Sequence, residues 1–169
     1  DNTVIAGDDY KVIAPGTKKD DAALVTLSGQ PEVSVRVTYS AEHFHLTGKW
    51  VGDKNDRFYC PLIIKVTGKV GDTVKTETIN CAKKNSAAEI ETAVQNAVAA
   101  CSATYAPNTD LSSAAVDGEG LKISWEWPFE GTANPGQTDE MDTYLGDQAA
   151  KTSDLDVPSI HIPVTATVT

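Results

Sequence analysis

Three histidines are the residues of this chain best suited to hold a metal ion. His43 and His45 lie two positions apart in an alternating segment, so a strand there places both on one face, and His161 belongs to a later predicted strand. Three imidazoles can form a catalytic zinc site. The sequence contains no His-Glu-x-x-His motif, which would set a general base beside two ligands on one helix. We therefore expect ordinary surface histidines, and a metal site is the alternative.

Aspartate-rich turns recur along the chain and could supply oxygen ligands to Ca²⁺. They lie at residues 7–9, 53–56, 117–120 and 139–147, and none has the spacing of an EF-hand loop. Turn formation and helix capping explain the same residue types. We expect no cofactor, with bound Ca²⁺ as the alternative.

Three cysteines allow one disulfide and leave one thiol over. Cys60 and Cys81 fall near the far ends of a predicted hairpin, which favours their pairing with each other, and Cys60 with Cys101 is the second choice. Cys81 and Cys101 flank a predicted helix that would separate them by about 20 Å or more at 1.5 Å per residue. Three buried thiols without a disulfide are the alternative.

The tryptophans could stack on sugars or fill the core. Trp125 and Trp127 alternate with polar residues in a predicted strand and share its face with Ile123 and Phe129. Pro128 removes a ladder donor near the end of that strand. Four large apolar groups on one face favour a core role, and a carbohydrate-binding surface module that uses Trp50, Trp125 or Trp127 is the alternative.

The elements that must position these residues are mostly strands. Alternation and β-branched residues predict strands at 24–28, 32–39, 43–50, 58–67, 73–81, 121–129 and 160–169. In the second of these, the inward positions are Val33, Val35, Val37 and Tyr39. Residues 18–22 and 104–117 are predicted to be loops.

Two helices are predicted. Ser86 and Glu89 have the spacing of a capping box, and it opens a helix that runs to about Cys101. The apolar face of this helix consists of Ile90, Val94, Ala97, Val98 and Cys101. Thr138 or Asp139 can cap a short helical turn whose first residues are acidic.

This pattern predicts a mainly β fold, specifically a jelly-roll-like β-sandwich with one inserted amphipathic helix and a short C-terminal helical turn. A chain of 169 residues suits one domain, which we assign to residues 14–169, preceded by a separate apolar segment at residues 1–13. The net charge of −10 disfavours nucleic acid as a partner. No apolar run is long enough to span a bilayer.

Three motifs resemble the TasA/camelysin family of secreted bacterial surface proteins. They are W-x-W-P-F-E at residues 125–130, D-x-x-D-T-x-L-G at 139–146 and I-x-I-x-V-T-A-T-V-T at 160–169. Shorter similarities are APGT at 14–17 and GQPEV at 29–33. The resemblance implies export, removal of a signal segment before Asp1, and a location outside the cell or on its surface.

The resemblance also implies a function. TasA-like proteins form matrix fibres in which the N-terminal segment of one subunit completes the sheet of the next, so this chain is expected to be a structural subunit of a filament and not an enzyme. Its partners would be copies of itself, joined head to tail. Camelysin is described as a metalloprotease, which keeps that alternative open. The candidate donor strand carries Val4, Ile5, Tyr10, Val12 and Ile13. An ordinary first strand, paired within its own sheet, is the alternative for this segment.

Overall fold

The computed structural model describes residues 2–70, 73–114, 119–129, 135–151 and 155–169. Within these ranges the strands are β1 (Asn2–Ala6), β2 (Asp9–Lys11), β3 (Lys18–Thr26), β4 (Val35–Ser40), β5 (His45–Thr47), β6 (Ile63–Val70), β7 (Thr73–Asn80), β8 (Ala103–Tyr105), β9 (Glu119–Glu126), β10 (Ser159–His161) and β11 (Val164–Val168). The helices are α1 (Ala87–Ala99), the short α2 (Leu111–Ala114) and α3 (Asp139–Lys151), with a 3-10 turn at Cys81–Lys83.

The strands form three sheets, and neighbouring strands are antiparallel throughout the described residues. The orders are β1-β11-β4-β8, β2-β10-β5 and β3-β9-β6-β7. Apolar side chains from all three sheets and from α1 and α3 belong to one core cluster. The mainly β class predicted from the sequence is therefore confirmed, as three antiparallel sheets with two long helices.

Helix α1 follows its sequence signals closely. The Ser86 hydroxyl accepts a hydrogen bond from the Glu89 N–H at 3.2 Å, and the Glu89 carboxylate accepts one from the Asn85 N–H at 2.8 Å, one residue earlier than a capping box requires. The predicted apolar face is buried, as is Cys101 just beyond the helix. The local sequence pattern was sufficient to predict α1 because one stripe of the helix faces the core.

Helix α3 is longer than predicted. The sequence indicated a short turn, whereas the helix runs for 13 residues. Leu145 and Ala149 bury one face of it, and Lys151 in the last turn complements the acidic first turn. Packing of this stripe extends the helix through Gly146, which local propensity disfavours.

Two strand beginnings differ from the prediction. β3 starts at Lys18, in a segment predicted to be a loop, because Lys18 and Lys19 pair with the far end of β9 although their side chains are exposed. β4 starts only at Val35. Val33 precedes it in a bend and is 66% exposed, so its inward assignment is wrong.

Several segment ends also differ. β9 ends at Glu126, and Phe129 beyond Pro128 is exposed, so the prediction that Phe129 faces the core is wrong. The 160–169 segment is divided at residues 162–163 into β10 and β11, which belong to different sheets. Residues 58–62 precede β6 and do not belong to it. In the predicted loop 104–117, β8 and α2 cover part of the chain, and residues 115–117 lie outside the described residues.

Candidate assembly site

The N-terminal segment lies against the two C-terminal strands of its own chain. All five residues of β1 pair with β11, from Asn2 opposite Val168 to Ala6 opposite Val164. β2 then pairs with β10, with Tyr10 opposite Ile160. β1 and β2 are both edge strands. In the single chain this segment thus has the pairing of an ordinary first strand, and it forms the rim of two sheets.

The five predicted anchor residues divide into two groups. Val12 is fully buried, and Tyr10 is half-buried with its ring 6.0 Å from that of Trp125. Val4, Ile5 and Ile13 are instead 55%, 74% and 56% exposed. The segment is therefore fixed at Tyr10 and Val12, while the other three residues leave apolar surface in water.

A turn at residues 14–17 joins this segment to β3, and residues that follow β9 hold it in place. The Gly16 N–H donates to the Trp127 carbonyl at 2.7 Å, and the Trp127 N–H donates to the Thr17 carbonyl at 2.8 Å. Gly16 has φ +89°, and a Cβ at this position would overlap the Phe129 ring. Both the backbone angle and the ring require glycine at this position.

A buried carboxylate lies beneath this turn. Asp142 in α3 is 2% exposed, and its Oδ1 accepts hydrogen bonds from the Tyr59 hydroxyl at 2.5 Å and the Trp127 indole N–H at 3.1 Å. The Gln137 amide donates to Oδ2 at 2.6 Å and to the Pro128 carbonyl at 2.9 Å. These bonds join the end of β9 to the start of α3. The motifs at residues 125–130 and 139–146 therefore meet in one polar cluster.

Sequence reasoning missed this cluster. Asp142 is one of the acidic residues at the start of the predicted helical turn, where they complement the helix dipole, and the sequence pattern indicates no role for Tyr59 or Gln137. The available signal was an acidic residue three positions before Leu145, on the helix face that packs against the tryptophan strand. Nothing local indicates that Tyr59 reaches the same carboxylate.

The buried tyrosines predict alkaline unfolding. Burial raises the pKa of Tyr59 well above its ordinary value, and the hydrogen bond to Asp142 raises it further. Burial similarly raises the pKa of Tyr39 and of Tyr105. Above about pH 10 the unfolded chain releases phenolic protons that the native chain keeps, so the free energy of unfolding should fall by up to about 1.4 kcal/mol per pH unit for each such tyrosine.

Urea unfolding between pH 8 and pH 11 measures this slope. Tyr59→Phe removes one of the groups whose pKa is raised, so the variant should lose stability less steeply above pH 10 than the parent chain does. Equal slopes for the two chains would contradict the assignment of Tyr59 as a contributor.

The histidines do not form the zinc site considered above. His45 and His161 are cross-strand partners, and their Nδ1 atoms lie 3.5 Å from Glu91 and 2.6 Å from Asp9 respectively. His43 lies apart, beside Glu42. Across the described ranges, no three His, Cys, Asp or Glu side chains come together as metal ligands.

The acidic turn at residues 53–56 has a structural explanation. Asp53 accepts hydrogen bonds from the Asn55 and Arg57 N–H groups and contacts the Arg57 guanidinium at 3.1 Å. This is turn chemistry of the expected kind. Asp117, in the predicted acidic turn 117–120, lies outside the described residues.

All three cysteines are buried free thiols. The structure thus matches the alternative of three buried thiols, and it lacks the Cys60–Cys81 disulfide that the predicted hairpin favoured. Cys60 and Cys81 are nevertheless neighbours. Burial raises the pKa of the Cys81 thiol, and a hydrogen bond with the Cys60 side chain raises it further. Cys101 lies elsewhere, against Gly68. A Cys60–Cys81 disulfide in an oxidising compartment stays a prediction.

The three tryptophans are 4%, 3% and 0% exposed at positions 50, 125 and 127. The core interpretation is confirmed. The carbohydrate-binding alternative required at least one exposed tryptophan, and that expectation is wrong.

Comparisons with known protein families, with curated proteins and with solved structures find no match. The likeness to the TasA/camelysin family therefore rests on the sequence motifs described above. Among the described residues, no helix combines the length and the apolar character needed to cross a bilayer.

Proposed function

We propose that this protein is a structural subunit of an extracellular filament, of a biofilm matrix or a cell surface, and that it polymerises by donating its N-terminal segment. The segment formed by β1 and β2 would leave β10 and β11 of its own chain and pair with those strands in the next subunit. One observation carries the proposal: the segment is held at sheet edges by main-chain pairing to the two C-terminal strands.

Exchange of this kind keeps the contacts that the single chain already makes. An antiparallel ladder is the same whether its strands come from one chain or from two, so swapping an identical segment costs little interaction energy. A reciprocal exchange would close as a dimer, whereas donation from each subunit to the next is head to tail and does not close; the proposal is the second of these. A filament follows from this geometry.

The exposed apolar residues favour the exchanged state. Val4, Ile5 and Ile13 remain largely exposed in the single chain. At a junction between two subunits, a second body is available to cover them. Full burial of such a side chain contributes roughly 1.5–3 kcal/mol, so three partly covered side chains would contribute a few kcal/mol and offset part of the entropy lost on association.

The turn at residues 14–17 is the point where the path of the chain would change. It is short, exposed or half-buried, and held by two backbone hydrogen bonds to Trp127. The Asp142 cluster is hydrogen-bonded to the indole of Trp127, the same residue whose backbone holds the turn. A fixed support beside a short turn suits a segment that must leave its body in a defined direction.

The remaining parts of the proposal concern the body and its setting. The body, residues 14–169, would be a jelly-roll-like sandwich acting as a non-enzymatic subunit outside the cell. The proteolytic alternative predicts bound zinc and chelator-sensitive cleavage of casein. A metal assay on the purified protein separates it from the filament proposal.

Electron micrographs of the purified protein should show threads, and a chain that lacks residues 1–13 should show none. Because the deletion removes Val12 from the core and uncovers β10 and β11, circular dichroism must first show that the truncated chain is folded. A synthetic peptide of residues 1–13 is the matched control: it should bind, raise the melting temperature and still give no threads. Normal threads from the truncated chain would show that the segment is not the donor.

A further inference from the structure

The edge strand β7 has a row of backbone groups that none of the described residues pairs with, and their positions can be deduced. β7 is the last strand of its sheet, and its first six residues are exposed. The Cys81 N–H donates to the Leu62 carbonyl at 3.0 Å, and the β6–β7 register is regular from Ile63 opposite Asn80 to Val70 opposite Thr73. Hydrogen-bonded pairs alternate in an antiparallel ladder. Odd-numbered residues of β7 therefore bond to β6, and Val74, Thr76 and Thr78 direct their N–H and C=O groups outward.

We propose that two copies of this chain pair antiparallel through β7, about a two-fold axis at Thr76. Thr76 then lies opposite Thr76 of the second copy, and Val74 lies opposite Thr78. Lys75 lies opposite Glu77 of the second copy, and symmetry makes this charge pair twice. The two four-stranded sheets become one sheet of double width.

The charges on β7 select this register. If the register shifts by one residue, the outward N–H and C=O groups of one copy lie opposite residues of the second copy whose groups point inward to β6. No ladder then forms. Moving the axis to position 75 sets lysine against lysine, and moving it to position 77 sets glutamate against glutamate. Only the axis at Thr76, among these neighbours, pairs opposite charges. Residues 75 and 77 occupy the non-hydrogen-bonded pairs, in which side chains approach most closely and charge has the most effect.

The surroundings leave this edge accessible. Lys75 and Glu77 line an open groove of about 570 Å³ between β7 and α1, so neither side chain is covered by the helix. The chain carries a net charge of −10, which makes two copies repel in general. β7 itself carries one lysine and one glutamate, whose charges balance, and Lys83 and Lys84 line the same groove. The net negative charge of the chain is therefore not concentrated at this edge. The inference does not depend on the filament proposal.

The competing explanation is that Lys75 and Glu77 protect the edge from pairing, as charges on edge strands often do. The two explanations differ when the charges are changed. Protection predicts that Lys75→Ala increases association, whereas pairing predicts that it weakens association. The two explanations differ most in what they predict for a mixture of Lys75→Glu and Glu77→Lys chains.

Cross-linking through Thr76→Cys tests the pairing in the full chain. A short bis-maleimide should join two such chains, because position 76 meets itself on the axis. Val74→Cys is the matched control and should cross-link poorly, since it lies opposite position 78. Adding Lys75→Glu or Glu77→Lys creates like-charge pairs and should reduce the yield about tenfold. An equimolar mixture of those two variants should restore the yield as the mixed dimer, because every pair is again of opposite charge.

Equal yields in all charge backgrounds, equal yields from Val74→Cys, or a higher yield from Lys75→Ala would each overturn the inference. The wild-type chain, with its buried native thiols, shows the background of the reaction. The two proposals fail separately. Threads without the Thr76→Cys cross-link contradict only β7 pairing, and the cross-link without threads contradicts only strand donation.

Discussion

A Thr3→Cys/Thr167→Cys chain that is oxidised while monomeric should form no filaments. Thr3 and Thr167 are opposite residues of β1 and β11, and their hydroxyl oxygens lie 3.2 Å apart. The paired positions are close enough for a disulfide, which would fix the N-terminal segment to its own sheet. The segment could then not be donated, so the expected loss of polymer is complete. Electron microscopy and light scattering measure it, and reduction should restore assembly.

The same variant makes a second prediction when it is oxidised after assembly. In a filament built by donation, the thiol introduced at position 3 of each subunit lies beside the thiol introduced at position 167 of the next. The disulfide then joins neighbours, and a non-reducing gel should show a ladder of covalent multimers. Thr3→Cys alone is the control and should give neither locked monomers nor a ladder.

Two outcomes would contradict strand donation. One is normal filament growth from chains shown to be fully oxidised beforehand. The other is a set of filaments that, oxidised after assembly, release only monomers on the gel. Either result would mean that β1 stays on its own sheet, and subunits would then have to meet through other surfaces.

The parts of the fold that the sequence predicted are those with a complete local signal. β4 alternates over Val35, Val37 and Tyr39, and all three are buried. Helix α1 has its cap and its apolar stripe within one short stretch. In both cases one face of a regular element meets the core, and the period of the sequence records that face.

The parts that could not be predicted depend on distant residues. Lys18 and Lys19 are polar and exposed, and they form a strand only because the end of β9 lies beside them. Asp142 and Tyr59 are 83 positions apart in the chain. A contact between residues so far apart in the chain leaves no periodic pattern. The sequence motifs therefore included Asp142 but did not indicate that its carboxylate joins them.

Prediction from sequence has the same limit at two adjacent residues of the N-terminal segment. Val12 and Ile13 are both large and apolar, yet Val12 is fully buried and Ile13 is 56% exposed. Composition identified the segment as one that needs a partner. It could not say which side chains its own body accepts, because that depends on β10 and on the turn that follows.

Asp142→Ala should destabilise the fold by about 3–5 kcal/mol. The substitution leaves the Tyr59 hydroxyl and the Trp127 indole N–H buried without their acceptor, and each unsatisfied buried donor costs about 1–3 kcal/mol. Gln137 is half-buried and can turn toward water, so it should add less. The loss is a large share of the roughly 5–15 kcal/mol typical of a domain. Urea unfolding followed by tryptophan fluorescence measures it directly.

Two variants make the experiment specific to the buried carboxylate. Asp147→Ala, at an exposed position of the same helix, should change stability by less than about 0.5 kcal/mol. Asp142→Asn keeps an acceptor for Tyr59 and Trp127 but turns an amide toward Gln137, so we expect an intermediate loss of about 2 kcal/mol. A loss for Asp142→Ala no greater than that for Asp147→Ala would show that the cluster does not hold α3 to the end of β9. If the cluster also supports the turn that releases the N-terminal segment, Asp142→Ala should lower filament yield at temperatures where the chain is still fully folded, because the Trp127 indole loses its acceptor and Trp127 would then hold Gly16 and Thr17 less firmly. Asp142→Asn keeps that acceptor and should lower the yield less.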